Sequence, residues 1–317
     1  MLRVKVSHKH LVADDICSFE LSPVDEQILP AFTAGAHIDV WTPAGTVRQY
    51  SLCNHPEERH RYLIGVLRDP HSRGGSQAMH ELVQEGQELT ISAPRNLFPL
   101  SPDGKKHLLI AGGIGITPML AMAYELSQRG VDFELHYCFR AKAKAAFIDV
   151  LESAPFARNV VLHDDSAGPD AALNASLLLQ SPVTGVHLYV CGPGGFMDYI
   201  LKAAEAAHWP QEQVHREFFA AAPVDQTGDQ AFEVVLARSS LTFQIPADRS
   251  VFEVLDEAGI EIQSSCEQGI CGSCMTQVLE GTPDHRDQFM TKAEHALNDQ
   301  FTPCCSRAKT PRLVLDL

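Results

Sequence analysis

Cys266, Cys271 and Cys274 stand in a C-x4-C-x2-C run, and Cys304 and Cys305 follow about thirty residues later. No other feature limits the fold of this chain as tightly. Four thiolates that converge on metal force the first three into one short loop and oblige a distant segment to return to it. Gly269, Gly272, Ser265 and Ser273 keep that loop small, so its backbone N–H groups can face the centre. A zinc ribbon is the alternative, but ribbons usually pair two C-x2-C knuckles and only Cys271 with Cys274 makes one here. The spacing fits a plant-type [2Fe-2S] cluster. Adjacent residues on a strand face opposite ways, so only one of Cys304 and Cys305 is expected to reach iron. The local pattern does not choose between them.

A chain of 317 residues is too long for one ordinary core, and two or three domains are expected. In the first third, short β-branched or alternating runs recur at 2–6, 16–21, 37–41, 47–52, 62–66 and 88–92, with one helix at 76–83. Close spacing of this kind predicts a small antiparallel barrel. From about residue 105 the pattern changes to strands at 107–111, 134–139, 160–163 and 187–191, alternating with helices at 118–129, 147–153 and 195–207. That alternation predicts a parallel sheet covered by helices on its faces. The Pro/Gly-punctuated stretch 220–230 reads as a linker. Beyond it come a hairpin at 232–245, a helix at 251–258 and a closing strand at 312–317.

Two glycine turns lie between strand and helix: Gly112-Gly113-Ile114-Gly115-Ile116-Thr117-Pro118 and Cys191-Gly192-Pro193-Gly194-Gly195. In one parallel sheet they suggest a ligand crevice at the carboxyl ends of the strands, with the close backbone approach that a pyrophosphate requires. The first does not follow the usual G-x-G-x-x-G fingerprint, and an ordinary strand–helix turn is its bland reading. In the barrel, Arg48, Tyr50 and Ser51 offer a cation, an aromatic ring and a hydroxyl at a strand end, and Ser72-Arg73-Gly74-Gly75-Ser76 offers a phosphate cradle. Each alone is weak, the second being also an ordinary glycine loop.

A net charge of −15 argues against a nucleic-acid partner, because phosphate contacts need an excess of lysine and arginine. No apolar run is long enough to span a membrane, and no secretory leader is visible. Nine cysteines in such a chain suit a reducing cytoplasm. Cys17, Cys53 and Cys138 read as buried apolar residues, and His163 beside Asp164 and Asp165 as a solvated strand end.

Taken together and in order, RQYS at 48–51, SRGGS at 72–76, GGIGITP at 112–118, CGP at 191–193, CEQGICGSC at 266–274 and the tail CCSRAK…RLVLDL resemble the phthalate dioxygenase reductase family over essentially the whole chain. The resemblance implies three domains: a flavin-binding antiparallel β-barrel at 1–102, a ferredoxin-reductase-like α/β nicotinamide domain at 103–222 and a β-grasp plant-type ferredoxin domain at 223–317. It places Arg48, Tyr50 and Ser51 at the flavin and Gly74, Gly75 and Ser76 at its phosphate. Gly113, Gly115, Thr117, Cys191, Gly192 and Pro193 would line the nicotinamide crevice, with Thr117, Cys191 and Phe219 at the reacting rings. Phe219 aligns with the aromatic that covers the flavin, although Phe218 beside it shifts that match by one position. The C-x-S-R pattern of the tail makes Cys304 the fourth ligand.

The same resemblance implies FMN rather than FAD, and NADH rather than NADPH, although Arg140 at a strand end could meet a 2′-phosphate. Hydride would pass from NADH to the flavin, and single electrons through the cluster to a Rieske-type oxygenase. Plant-type clusters lie near roughly −400 mV and Rieske centres between about −150 and +300 mV, so that transfer runs downhill. A monomer is expected, since the partner completes the reaction. Two rival readings are a reductase for a cytochrome or diiron hydroxylase and a non-catalytic zinc-binding nucleotide sensor.

Overall fold

The computed structural model describes residues 1–25, 28–70, 74–220 and 226–317. Its backbone divides into two compact units, Met1–Phe219 and Ala220–Leu317.

In the first unit, strands Leu2–Ala13, Ile16–Pro23, Ala36–Trp41, Val47–Ser51, Tyr62–Leu67 and Glu88–Ile91 form one antiparallel sheet. Val4 and Val6 are fully buried while Arg3 and Lys5 are exposed, the period of two that a one-sided strand requires. A bridge between Leu52 and Ile64 joins the two ends of the sheet and closes it into a barrel around Phe19, Leu21, Ile38, Ile64 and Ile91. The expected helix at 76–83 is the shorter Gly75–Glu81, entered through Gly74.

Strands Lys106–Gly112, Asp132–Phe139, Val160–Asp164, Val186–Cys191 and Val214–Glu217 form an all-parallel sheet. Numbered within this sheet, its order is 3-2-1-4-5. The two central strands are apolar on both faces. Leu109, Ala111, Tyr189 and Cys191 enter one core, and Leu108, Ile110, Leu188 and Val190 the other. Helix Ile116–Arg129 covers the first face through Met119, Leu120 and Leu126, and helix Gly194–Ala206 the second through Met197, Ile200 and Ala204. Barrel residues Ala34, Cys53 and Phe98 share the first of these cores, so barrel and sheet pack as one unit.

The second unit is a mixed sheet. Phe232–Leu236 pairs antiparallel with Thr242–Ile245 and parallel with Arg312–Leu315, which continues to Thr276–Glu280. Helix Val251–Glu257 begins with a capping box between Ser250 and Glu253 and buries Val251 and Leu255. The hairpin, crossing helix and returning final strand make the β-grasp arrangement. The linker expected at 220–230 falls partly, at 221–225, outside the described residues. Among the described residues no helix is long and apolar enough to cross a membrane.

Candidate redox sites

The parallel sheet reverses its strand order between Lys106–Gly112 and Val186–Cys191, and a crevice at such a switch point is where open α/β sheets bind ligands. Both glycine turns lie at the carboxyl ends of these two strands. They approach so closely that a Cβ on Gly115 would lie 2.2 Å from the Cys191 carbonyl oxygen, and one on Gly192 3.0 Å from the Gly112 Cα. Only glycine fits where the two turns cross, and the Phe196 ring packs against Gly112 and Gly192 there. Pro193 enters helix Gly194–Ala206 and its carbonyl accepts from Met197 N–H at 2.9 Å. Thr117 is buried, and its hydroxyl donates to the Ile114 carbonyl at 3.0 Å, so it fastens the turn on which Gly113 and Gly115 sit. Cys191 is fully buried, and burial first, then the Glu217 carboxyl, pushes its thiol well up.

Arg48, Tyr50 and Ser51 lie on the strand Val47–Ser51. The Tyr50 Oη is buried with no hydrogen-bond partner, and burial raises its pKa far above the usual phenol range. A buried donor without an acceptor is a site shaped for something else to accept from it. A Cβ on Gly75 would lie 2.6 Å from the Arg48 Nε, so guanidinium and bare backbone sit together as an anion cradle. Ser76 Oγ accepts from the Asp69 N–H at 3.2 Å. Gly74 opens the helix at φ 92°, and Ser72 and Arg73 lie outside the described residues. These residues fit a flavin that carries a phosphate.

Ser51 is buried and its Oγ donates to Glu217 Oε2 at 3.4 Å. Loss of hydration pushes the Glu217 carboxyl up to about 8, so at neutral pH it holds a proton beside both Ser51 and Cys191. Sequence reasoning passed over this acid; its only signal was a carboxylate ending the last strand of the sheet, just before Phe218 and Phe219. Phe218 packs partly on the core, and Phe219 is 37% exposed.

In the second unit the five C-terminal cysteines come together. Cys266 and Cys271 lie within hydrogen-bonding reach of one another, and Cys274 Sγ lies 3.3 Å from Cys304 Sγ. Two pairs of thiols suit a centre with two irons, each needing two protein sulfurs beside its bridging sulfides. Cys304 and Cys305 lie in a turn at 303–305, not on a strand, so their thiols are not held on opposite faces as the sequence suggested. Both reach the same site: Cys305 is within hydrogen-bonding distance of Cys304 and also contacts Thr302 Oγ1 at 3.2 Å.

Asp287, another residue the sequence did not flag, backs this loop. It is buried, accepts from Met290 N–H at 2.7 Å and lies 3.0 Å from His295 Nε2, while Gln288 N–H donates to the Gly269 carbonyl at 2.9 Å. His163, expected in solvent, is instead half-buried with its Nε2 3.0 Å from His136 Nδ1. Cys17, Cys53 and Cys138 are buried.

Residues 234–309 match the family described as a 2Fe-2S iron-sulfur cluster binding domain, and residues 92–214 the dimethylamine monooxygenase subunit DmmA-like N-terminal domain. Over its whole length the chain is 57% identical to the whole of the vanillate O-demethylase oxidoreductase of Pseudomonas putida. It is 42% identical to the phthalate dioxygenase reductase of Burkholderia cepacia, with 100% of this chain and 97% of that one covered. The chain belongs to the phthalate dioxygenase reductase family. A solved structure of phthalate dioxygenase reductase, described as modular for electron transfer from pyridine nucleotides to [2Fe-2S], superimposes with a TM-score of 0.76 at 42% identity, covering 100% of this chain and 98% of that one. As a member of that family, the protein is a nicotinamide-dependent oxidoreductase: the reductase component of an oxygenase, with a flavin and a [2Fe-2S] cluster between nucleotide and acceptor.

Proposed function

We propose that this reductase oxidises NADH at FMN and delivers single electrons to a Rieske-type oxygenase that cleaves an aryl methyl ether such as vanillate. The acceptor assignment draws on the vanillate O-demethylase oxidoreductases, which match at 57%, 53% and 46% identity, above the phthalate and carnitine enzymes at 42% and 40%. The observation that carries the electron-transfer reading is the pairing of four thiols in one unit of a chain whose other unit holds a barrel and a nucleotide-type parallel sheet.

The domains run 1–102, 103–222 and 223–317. When bound, the flavin takes electrons in pairs as hydride and the cluster takes them singly, which is why one chain carries both. Arg48, Gly75, Gly74 and Ser76 hold the flavin phosphate, and Tyr50 donates its otherwise unpaired hydroxyl to the cofactor. Gly113, Gly115, Gly192 and Pro193 leave room for the nucleotide, while Thr117 keeps its turn closed and Cys191 fills the floor with an inert thiol. Phe219, 37% exposed just past the end of the last strand of the sheet, would cover the flavin ring. Ser51 and Glu217 form a proton store at Glu217, kept neutral by burial. Cys266, Cys271, Cys274 and Cys304 hold the cluster as thiolates.

The protein works as a monomer in the cytoplasm, where a reducing environment keeps a cysteine-held cluster intact. Iron, acid-labile sulfide and flavin analysis of the purified protein tests this account first, and turnover of vanillate with a partner oxygenase tests its acceptor. A colourless, zinc-loaded protein would refute the first; failure with aryl ether oxygenases alone would refute only the second.

A sharper check concerns Tyr50. Phenylalanine there removes a hydroxyl that has no partner within the protein, so the apoprotein should melt at the same temperature or higher. Flavin affinity should fall by about 5-fold, the equivalent of one lost hydrogen bond of ~1 kcal/mol. Equal flavin binding by the variant, measured by fluorescence titration, would remove Tyr50 from the site.

A further inference from the structure

We propose that Cys305 is a reserve fourth ligand, able to take the iron that Cys304 holds and to keep the cluster in place when Cys304 is lost. This rests on the reading of the five-cysteine site as a [2Fe-2S] centre.

The turn at 303–305 makes the exchange possible. Cys305 N–H and Ser306 N–H both donate to the Thr302 carbonyl, at 3.2 and 3.0 Å, and this tight fold carries both thiols to one place. On an extended strand the second thiol would point away. Here it lies within hydrogen-bonding reach of the Cys304 sulfur, which itself lies 3.3 Å from Cys274.

A second observation points the Cys305 sulfur at the ligand loop. A Cβ on Gly269, between Cys266 and Cys271, would lie 2.3 Å from Cys305 Sγ. Bare glycine backbone at 269 therefore lets this sulfur lie directly on the loop that holds the other ligands. Cys304 and Cys305 also line one cavity with Glu267 and Gln268 of that loop. What holds Cys305 in its present position is modest: contacts to Thr302 Oγ1 at 3.2 Å and Ser306 Oγ at 3.8 Å. Hydrogen bonds of that kind are weak beside a metal–thiolate bond.

The exchange changes no oxidation state. When Cys304 is present, its iron–sulfur bond breaks and its freed thiolate takes up a proton while the Cys305 thiol gives one up to form the new iron–sulfur bond. When Cys304 is absent, only the Cys305 bond forms and its proton passes to water. Soft thiolate replaces soft thiolate, so iron retains the sulfur donor it prefers.

The test uses the full-length holoprotein in four variants, C304A, C305A, C304A/C305A and C271A, the last at a loop position with no cysteine beside it in sequence. Each is measured for iron and acid-labile sulfide per chain, visible circular dichroism and the electron paramagnetic resonance of the reduced state. C304A should retain the iron and sulfide content of the wild type with an altered dichroism and resonance signal. C305A should hold the cluster through Cys304, and the double variant and C271A should be empty.

A further measurement avoids dependence on the folding of C304A. If Cys305 recaptures iron whenever Cys304 lets go, C305A should lose iron to a chelator several-fold faster than the wild type. Iron in C304A no higher than in the double variant, with an unchanged chelator rate in C305A, overturns the proposal. A double variant that keeps the cluster as well as C304A overturns it too, since some other group would then be the replacement. A wild-type protein without iron and sulfide would instead refute the reading on which the proposal rests.

Discussion

Replacing Cys271 by alanine should leave a protein that still oxidises NADH at its flavin but no longer passes electrons on. Cys271 belongs to the thiol pair with Cys266, and loss of one sulfur leaves an iron with an open position that the loop cannot fill. Even residues that only support a ligand weaken metal sites by 10–100-fold, so removal of a ligand should lower reduction of a one-electron acceptor by about 100-fold or more. The residues proposed for the flavin lie in the other compact unit, Met1–Phe219, so NADH-driven flavin bleaching should persist near its normal rate. Rapid mixing with NADH, with and without an acceptor, separates the two. Loss of flavin reduction in this variant would mean that the units do not work as separate stations.

The second large effect is acid sensitivity of Met1–Phe219. Burial lowers His37 and His107 from 6.5 to about 4, and His215, hydrogen-bonded to His187 at 2.9 Å, is lowered likewise. The unfolded chain takes up these protons near pH 6.5, whereas the folded chain resists them until about pH 4. Stability is therefore full above the unfolded pKa and falls as pH drops through this window. At pH 5, His37 and His107, both almost wholly buried, should each remove about 2 kcal/mol relative to pH 7. Both tryptophans, Trp41 and Trp209, lie in this unit, so urea unfolding followed by their fluorescence reports it directly. H107L removes the titrating ring packed against His187 and Tyr189 and should flatten the slope by about 2 kcal/mol between these pH values. An unfolding midpoint equal at pH 7 and pH 5 would contradict the assignment of these rings as neutral and buried.

Much of the fold could be read directly because local pattern and tertiary structure agree. The two-sided apolar strands around Leu109 and Tyr189 announce a parallel sheet, and the glycine turns that follow them sit where ligands bind in such sheets. The first strand was read as 2–6 but runs Leu2–Ala13; shifts in its pairing between Val6 and His8 and between Leu11 and Ala13 break the alternation that marks a strand. Helix Lys292–Leu297 was missed although Thr291 and Glu294 form a capping box, because it buries no residue and so has no apolar stripe.

The site was legible where ligands are close in sequence and illegible where burial comes from afar. Cys266, Cys271 and Cys274 announce themselves by spacing. Glu217 gains its raised carboxyl from burial at the end of the sheet, where Ser51, 166 residues earlier, packs beside it, and the neighbour of Asp287, Gln288, ties that segment to the Gly269 carbonyl. No local window contains Ser51 with Glu217, or Gly269 with Gln288. Cys304 and Cys305 show the reverse error: a strand was assumed, and a turn at 303–305 lets both sulfurs face the same way.

The central claim is that a two-electron and a one-electron carrier work in series within this polypeptide. Anaerobic stopped-flow mixing of the purified protein with NADH, followed across the visible spectrum, tests it most directly. The account predicts loss of flavin absorbance first and loss of iron–sulfur absorbance after it. Cluster reduction that precedes flavin reduction, or no visible change at all, would contradict it.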